Sequence, residues 1–259
     1  MLKALNTAAT GMQAQQTNMD VTANNMANLS TNGYKKARAE FEDLMYQTIK
    51  EPGAVSGDNA VSPVGVQTGL GVKTSAIKKD FTTGAAKITQ KPLDVMVEGK
   101  GFFAVQTPNG VSYTRDGAFS KNAQGVIVNR AGFPLEPALS IPSNALGLSI
   151  SPNGQVEVEV PGGQRQNIGQ IELSNFVNPA GLKAIGKNLY TQTAASGVPQ
   201  VGLPGQNGLG ELSQGQLEGS NVNIVDEMVN MITTQRAYEM NSKAIQAADQ
   251  MLQAINNLR

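Results

Sequence analysis

The chain contains no cysteine, no histidine and no tryptophan. The first two absences exclude disulfides, thiol nucleophiles, Ser–His and Cys–His dyads, and thiolate or imidazole ligands for structural zinc or haem. Any catalysis would fall to carboxylates, Lys, Tyr, Ser or a metal held by oxygen alone. Lack of Cys also fits an oxidising compartment, where a free thiol is a liability. Aromatic residues make up only 5% and charged residues 15%, against about 25% charged in an ordinary domain. The 20 Lys+Arg and 20 Asp+Glu cancel, and no basic block stands out. Nothing would therefore drive the counterion release that dominates nucleic-acid binding, and no nucleic-acid partner is expected. No stretch approaches the ~20 apolar residues of a membrane span, so no membrane insertion is expected. The start, MLKALNTAATGMQAQQ, lacks the continuous apolar core of a cleaved signal peptide. A secreted product is expected to keep its N-terminus.

Against these gaps stand 28 Gly, 12 Pro and 40% hydrophobic residues, enough for a core interrupted by many turns. The two ends differ from the middle. In the first arm Leu5, Met12, Met19 and Met26 recur every seven residues, with Ala8 and Leu29 flanking and Gly11, Gln15 and Gln16 diluting the pattern. In the last arm Ile224, Met231, Tyr238, Ile245 and Leu252 recur in the same way, with Asn223 placed to cap and Asp226 and Glu227 suited to the helix dipole. Both arms read as amphipathic helices of coiled-coil type, of ~25 and ~35 residues, whose apolar stripes need a partner. Of the ten methionines only Met96 lies between Met45 and Met228, which suits a repacking helical interface.

The middle reads as antiparallel β. LGLSISPNGQVEVEV and GKGFFAVQTPNGVSYTRDGAF both run strand, Pro-Asn-Gly, strand, and Asn-Gly suits a type I′ turn, whose two central residues need φ > 0. Further strands are expected near Val126–Asn129 and Ile168–Phe176. Between Tyr34 and Leu70, Phe41, Leu44, Met45 and Ile49 fit either a short helix or half of a long hairpin, followed by the long Gly/Pro loop EPGAVSGDNAVSPVGVQTGLG. The fold class is thus α+β, with N- and C-terminal helices pairing as a coiled coil around a central antiparallel sandwich- or barrel-like domain. The expected boundaries are 1–30 with 221–259 for the helices, 31–70 for the connecting segment and 71–220 for the β domain.

Candidate chemistry is sparse. Gly205, Gly208 and Gly210 have the wrong order for a dinucleotide loop, and Gly99-Lys100-Gly101 lacks the rest of a phosphate loop. Asp94 and Glu98, four apart on a probable strand, would share a face and could serve as acid and base of a glycosidase, but solvated surface carboxylates are far commoner. Arg115-Asp116 before Gly117 reads as turn chemistry. Asn28-Leu29-Ser30 fits a glycosylation pattern to which a chain of bacterial appearance gives little weight. No catalytic residue, cofactor or metal site is expected.

The segments TAATGMQAQQTNMDVTANNMANLSTNGYKKARAEFEDLMYQTIKEPGA and LEGSNVNIVDEMVNMITTQRAYEMNSKAIQAADQMLQAINNL, with GKGFFAVQ, YTRDGAF, NPAGL, IGKNLY and GLGELSQGQLEGSNV between them in order, resemble the axial proteins of the bacterial flagellum: rod, hook and hook–filament junction. YQTIKEPG and GVQTGLGV resemble most the distal rod members of that family. The departure is at Leu5, near which such proteins often carry an aromatic. The resemblance implies a structural polymer and no enzyme. In the family the terminal helices pair in an inner tube and the β domain faces outward. It also implies export through the flagellar type III apparatus without a cleaved signal, and a place in the basal body crossing the periplasm towards the outer membrane. The implied partners are other copies of the chain, proximal rod proteins, the hook protein, the P-ring and L-ring bushing and the rod cap. Proximal rod and hook proteins are the near alternatives, and a secreted peptidoglycan-acting enzyme is the remote one.

Three sets of residues follow for assembly. Leu5, Met12, Met19, Met26, Leu29, Ile224, Met231, Tyr238, Ile245 and Leu252 are expected in the subunit seam. The amides of Asn24, Asn25 and Asn28 are expected to bond across subunits and fix register, with Asn32-Gly33 ending the helix. Glu51, Pro52, Gly53, Pro63 and Gly65 belong to a loop expected to set stiffness by bridging neighbours.

Overall fold

A computed structural model describes residues 2–51, 55–56, 60–61 and 64–257. The chain forms two compact units: Met1–Met26, Ala37–Lys78 and Asn223–Arg259 make the first, and Ala27–Lys36 with Lys79–Val222 the second.

The first unit is built on two long helices, α1 (Leu2–Ala27) and α2 (Ile224–Asn257). In α1 the hydroxyls of Thr7 and Thr17 bond back to the carbonyls of Lys3 and Gln13 one turn earlier, so these threonines stay within the helix. Asn223 caps α2: its Oδ1 accepts the N–H of Val225 at 3.0 Å, and Asp226 and Glu227 follow in the first turn. Asn18 donates to Thr234 and Asn25 to Glu227. Seven residues forward in α1 therefore step seven residues back in α2, and the helices pair antiparallel.

The segment after Lys36 is a β ribbon, which resolves the open choice between helix and hairpin. Strand Ala37–Asp43 pairs with Val72–Lys79, Tyr46–Lys50 antiparallel with Val66–Gly69, and Val55–Ser56 with Ala60–Val61. The ribbon runs on to Lys79, past the expected end at 70, because its returning strand must match the length of the outgoing one. With only two strands it covers neither face, and Met45 is 82% exposed, with Tyr46, Ile49 and Val66 also exposed.

The second unit is antiparallel throughout. Its largest sheet runs Lys183–Gly186, Leu189–Thr191, Gly110–Thr114, Phe102–Thr107, Leu173–Asn175, Gln200–Gly202, with Leu135–Glu136 also on Phe102–Thr107. Alternation along Phe102–Thr107 divides two cores. Phe103 and Val105 join Val95, Val97, Val156, Val158, Ile171 and Leu173, so the three-stranded sheet Gly147–Ile150, Gln155–Val160, Gln164–Gln170 packs on that face as in a sandwich. Phe102 and Ala104 join Tyr113, Phe176, Leu182 and Tyr190 on the other.

Both Pro-Asn-Gly hairpins form, but not through type I′ turns. At 151–154 the N–H of Gly154 bonds the carbonyl of Ser151, so Pro152 and Asn153 hold the corners and Gly154, at φ +88°, follows. Proline fixes its own φ near −65° and suits the first corner of a type I turn, which leaves glycine to supply the left-handed residue after it. Turns with both central residues at positive φ are Lys187-Asn188, at 55° and 59°, between strands Lys183–Gly186 and Leu189–Thr191, and Asn207-Gly208, at 51° and 76°, closed by the N–H of Leu209 on the carbonyl of Gln206.

Candidate functional site

In the first unit the seam between α1 and α2 is narrower and more polar than the apolar pattern suggests. On α2, Met231, Ile245 and Leu252 of the expected row are half-buried, while Ile224 and Tyr238 are exposed. The most enclosed positions of α2 form the alternate row, Glu227, Thr234 and Ala248. On α1 the expected row Leu5, Met12, Met19 and Met26 is only half-buried, as is Leu29 beyond the helix. The buried positions are Ala14, Val21, Thr22 and Asn25, about one position round the helix. Small side chains let two helices approach closely, and the longer thioethers fit only on the flank. Gly11 marks the same face: a Cβ there would lie 3.0 Å from Asn241 Nδ2. Hydrogen bonds across the seam join amide to hydroxyl and amide to carboxylate: Asn18 Nδ2 to Thr234 Oγ1 at 3.0 Å, and Asn25 Nδ2 to Glu227 Oε2 at 3.3 Å.

Asn25 is the joint of this unit, in a different sense from the one expected. It is 2% exposed. Besides reaching Glu227, its Nδ2 donates to the carbonyl of Ala37 at 2.8 Å and its Oδ1 accepts the N–H of Ala37 at 2.9 Å. The amide is thus committed within one subunit, tying helix, helix and ribbon together. Asn24 is exposed, and Asn28 is half-buried with its Oδ1 accepting the hydroxyl of Thr31. The helix ends at Ala27, before Asn32-Gly33. Gly33 serves the β unit instead: at φ +67° its N–H bonds the carbonyl of Glu218, and a Cβ would meet the backbone N of Asp116 at 2.7 Å. Of the loop residues, Glu51 is exposed and Gly65 half-buried, while Pro52, Gly53 and Pro63 lie outside the described residues.

The second unit holds a buried ionic cluster that sequence reasoning missed. Lys35 Nζ donates to Glu218 Oε1 at 2.5 Å and to the carbonyl of Thr82 at 2.6 Å. Arg115 Nε lies 3.4 Å from Glu218 Oε2, and its Nη2 donates to the carbonyl of Gly99 at 2.6 Å. All three side chains are almost fully buried. Burial holds the Lys35 ammonium below its usual pKa, with Glu218 pulling the other way, and the Arg115 guanidinium is lowered for the same first reason. Beside it Tyr190 is pushed up to about 12, chiefly by burial. The signal was present: Lys35, Arg115 and Glu218 stand in NGYKK, YTRDG and QLEGS, three charges in glycine-marked motifs of a chain poor in charge. Asp116 does act as turn chemistry, accepting the N–H of Ala118.

The carboxylates weighed for catalysis sit in different surroundings. Asp94 is buried in a β bridge to Ala118 directly ahead of strand Val95–Glu98, while Glu98 is exposed at the strand's end.

The arrangement is that of a structural subunit, with its polar side chains spent on joints. Three family models match it: the flagella basal body rod protein family over residues 5–35, the flagellar hook protein FlgE/F/G D1 domain over 96–158, and the flagellar basal body rod FlgEFG protein C-terminal family over 213–258. Among similar curated proteins, the flagellar basal-body rod protein FlgG of Caulobacter vibrioides is 49% identical, with both chains covered in full. The FlgG of Borreliella burgdorferi is 46% identical over all of this chain and 99% of its own length, and that of Bacillus subtilis is 37% identical with both covered in full. The chain belongs to the family of flagellar basal-body rod proteins FlgG.

Proposed function

We propose that this chain is a structural subunit of the distal rod, polymerising helically into the rigid shaft that carries torque from motor to hook. The observation that carries this reading is a second apolar stripe on α2. One face of that helix is turned to α1, yet Ile224, Val225, Met228, Val229 and Ile232 remain exposed. Contiguous apolar surface of this kind marks an interaction site. A surface that meets a different surface on the next copy gives an open helical polymer when the rotation does not close. In this reading the paired helices line an inner tube and the β unit faces outward. The neighbours at the ends and flanks are proximal rod proteins, the hook protein, the ring bushing, the rod cap and the type III export apparatus. The segment 51–65 sets stiffness by bridging adjacent copies.

Val229→Asp tests the interface, because the side chain is exposed in the single subunit. Its unfolding free energy is expected to stay within about 0.5 kcal/mol of the parent, as for surface changes away from special features. Electron microscopy of basal bodies from a strain carrying only this variant is expected to show no distal rod. Deleting 51–65 is expected to leave a rod that is bent. Straight rods of normal length in both strains would overturn the proposal.

A further inference from the structure

The second unit encloses a cavity of about 660 Å³ beside the ionic cluster. Its wall is aromatic: Phe81, Phe102 and Phe176 line it, with Phe81 and Phe176 each edge-to-face on Phe102. Arg115 also lines it, at 2% exposure. Within the described residues its Nη1 has no hydrogen-bond acceptor, and neither has its Nε, which approaches Glu218 Oε2 without bonding it. Glu218 is already occupied through Oε1, which takes Lys35 and the N–H of Gly84. Two buried cations thus share one carboxylate. The next carboxylate on this wall, Asp80, is half-buried and accepts the N–H of Thr82 through Oδ1. Lys100, exposed, also lines the cavity and adds positive charge.

An unmatched buried charge is costly, and Nη1, with no acceptor of its own, can donate a charge-assisted bond to a carboxylate. The phenylalanine wall favours a carboxylate borne next to apolar atoms. We infer that this cavity receives an acidic side chain of a second copy of this chain, a contact between β units distinct from the helix stripe. The choice of a second copy rests on the polymer proposed above, in which identical chains are the neighbours present at highest local concentration.

The test uses the full-length chain and 3-phenylpropanoate as probe, with 3-phenylpropanamide as the uncharged control. Amide NMR signals of Gly99 to Phe102 are expected to shift saturably with the acid and not with the amide. Arg115→Met, which leaves Lys35 and Glu218 paired one to one, is expected to abolish the shift. Should that variant fail to fold, Val177→Glu serves: Val177 lines the cavity yet is 80% exposed, so the new carboxylate competes there without disturbing a core. It is expected to weaken probe binding about tenfold or more. Polymerisation followed by light scattering is expected to slow with added probe and in Val177→Glu chains. No shift in the parent chain, or a shift that survives substitution, overturns the site. Binding without any effect of probe or Val177→Glu on polymerisation assigns the site to a free carboxylate and overturns the second copy, while leaving the rod proposal standing. Parent chains that form no polymer under any condition overturn both.

Discussion

From an enclosed position Asn25 bonds both backbone groups of Ala37 and the carboxylate of Glu227, and removing the amide removes these three bonds together. Asn25→Leu keeps the branched outline, adds volume, and removes the bonds to the N–H and C=O of Ala37 and to an oxygen of Glu227. The expected cost is about 2–4 kcal/mol, the sum of a few buried groups left unpaired. Met26→Leu, next along the chain, changes a half-buried thioether for a side chain of similar size and is expected to cost under about 1.5 kcal/mol. Urea unfolding of the two variants checks both, and a larger loss for Met26→Leu would misplace the packed face. At this scale apolarity misled the reading of α1. Gly11, Asn18 and Asn25 repeat with the same spacing of seven as Met12, Met19 and Met26, so the period was legible and its phase was not. A period says that a face exists. Which row occupies it depends on how closely the backbones approach, and small residues decide that.

Among the elements, two glycines of the β unit show two separate demands. Gly117 has ordinary φ, but a Cβ there would lie 1.6 Å from the carbonyl oxygen of Val95, whose N–H bonds the carbonyl of Gly117. Neither backbone segment can yield without breaking strand Val95–Glu98 from its neighbours. Gly110 has φ +112° and open space around its Cβ direction. Gly117→Ala is expected to cost more than about 4 kcal/mol, in the range of a broken core, and Gly110→Ala about 1–3 kcal/mol of backbone strain. Thermal melting of the two variants ranks them, and equal midpoints would refute the steric account. The strands themselves were legible from alternation and turn residues. The segment 34–70 was ambiguous because the strands it forms pack on little, so burial imposed no alternation for the sequence to record.

For the molecule as a whole, the β unit is predicted to fold without the helices or the ribbon. The N–H of Asp80 bonds the carbonyl of Lys36 at 2.9 Å, so the two ends left by excising 37–78 are neighbours. A chain of residues 27–222 with that segment replaced by a short Gly/Ser link is expected to unfold in one cooperative transition by calorimetry, with Lys35 still on Glu218. A broad or absent transition would count against it. The class of fold and its outline were readable from the sequence: helical arms and an antiparallel middle. The ionic cluster was not, because Lys35 and Glu218 lie 183 residues apart and no local pattern joins them.

The antiparallel pairing of the arms also has a consequence in time. Asn25 waits for Glu227, 202 residues later, and Asn18 for Thr234, 216 residues later. At synthesis rates of about 5–20 residues per second, the first helix is made roughly 10–40 s before its partner exists. The joint therefore acts as a clock: a chain emerging N-terminus first cannot close its helical unit until almost its last turn has been delivered.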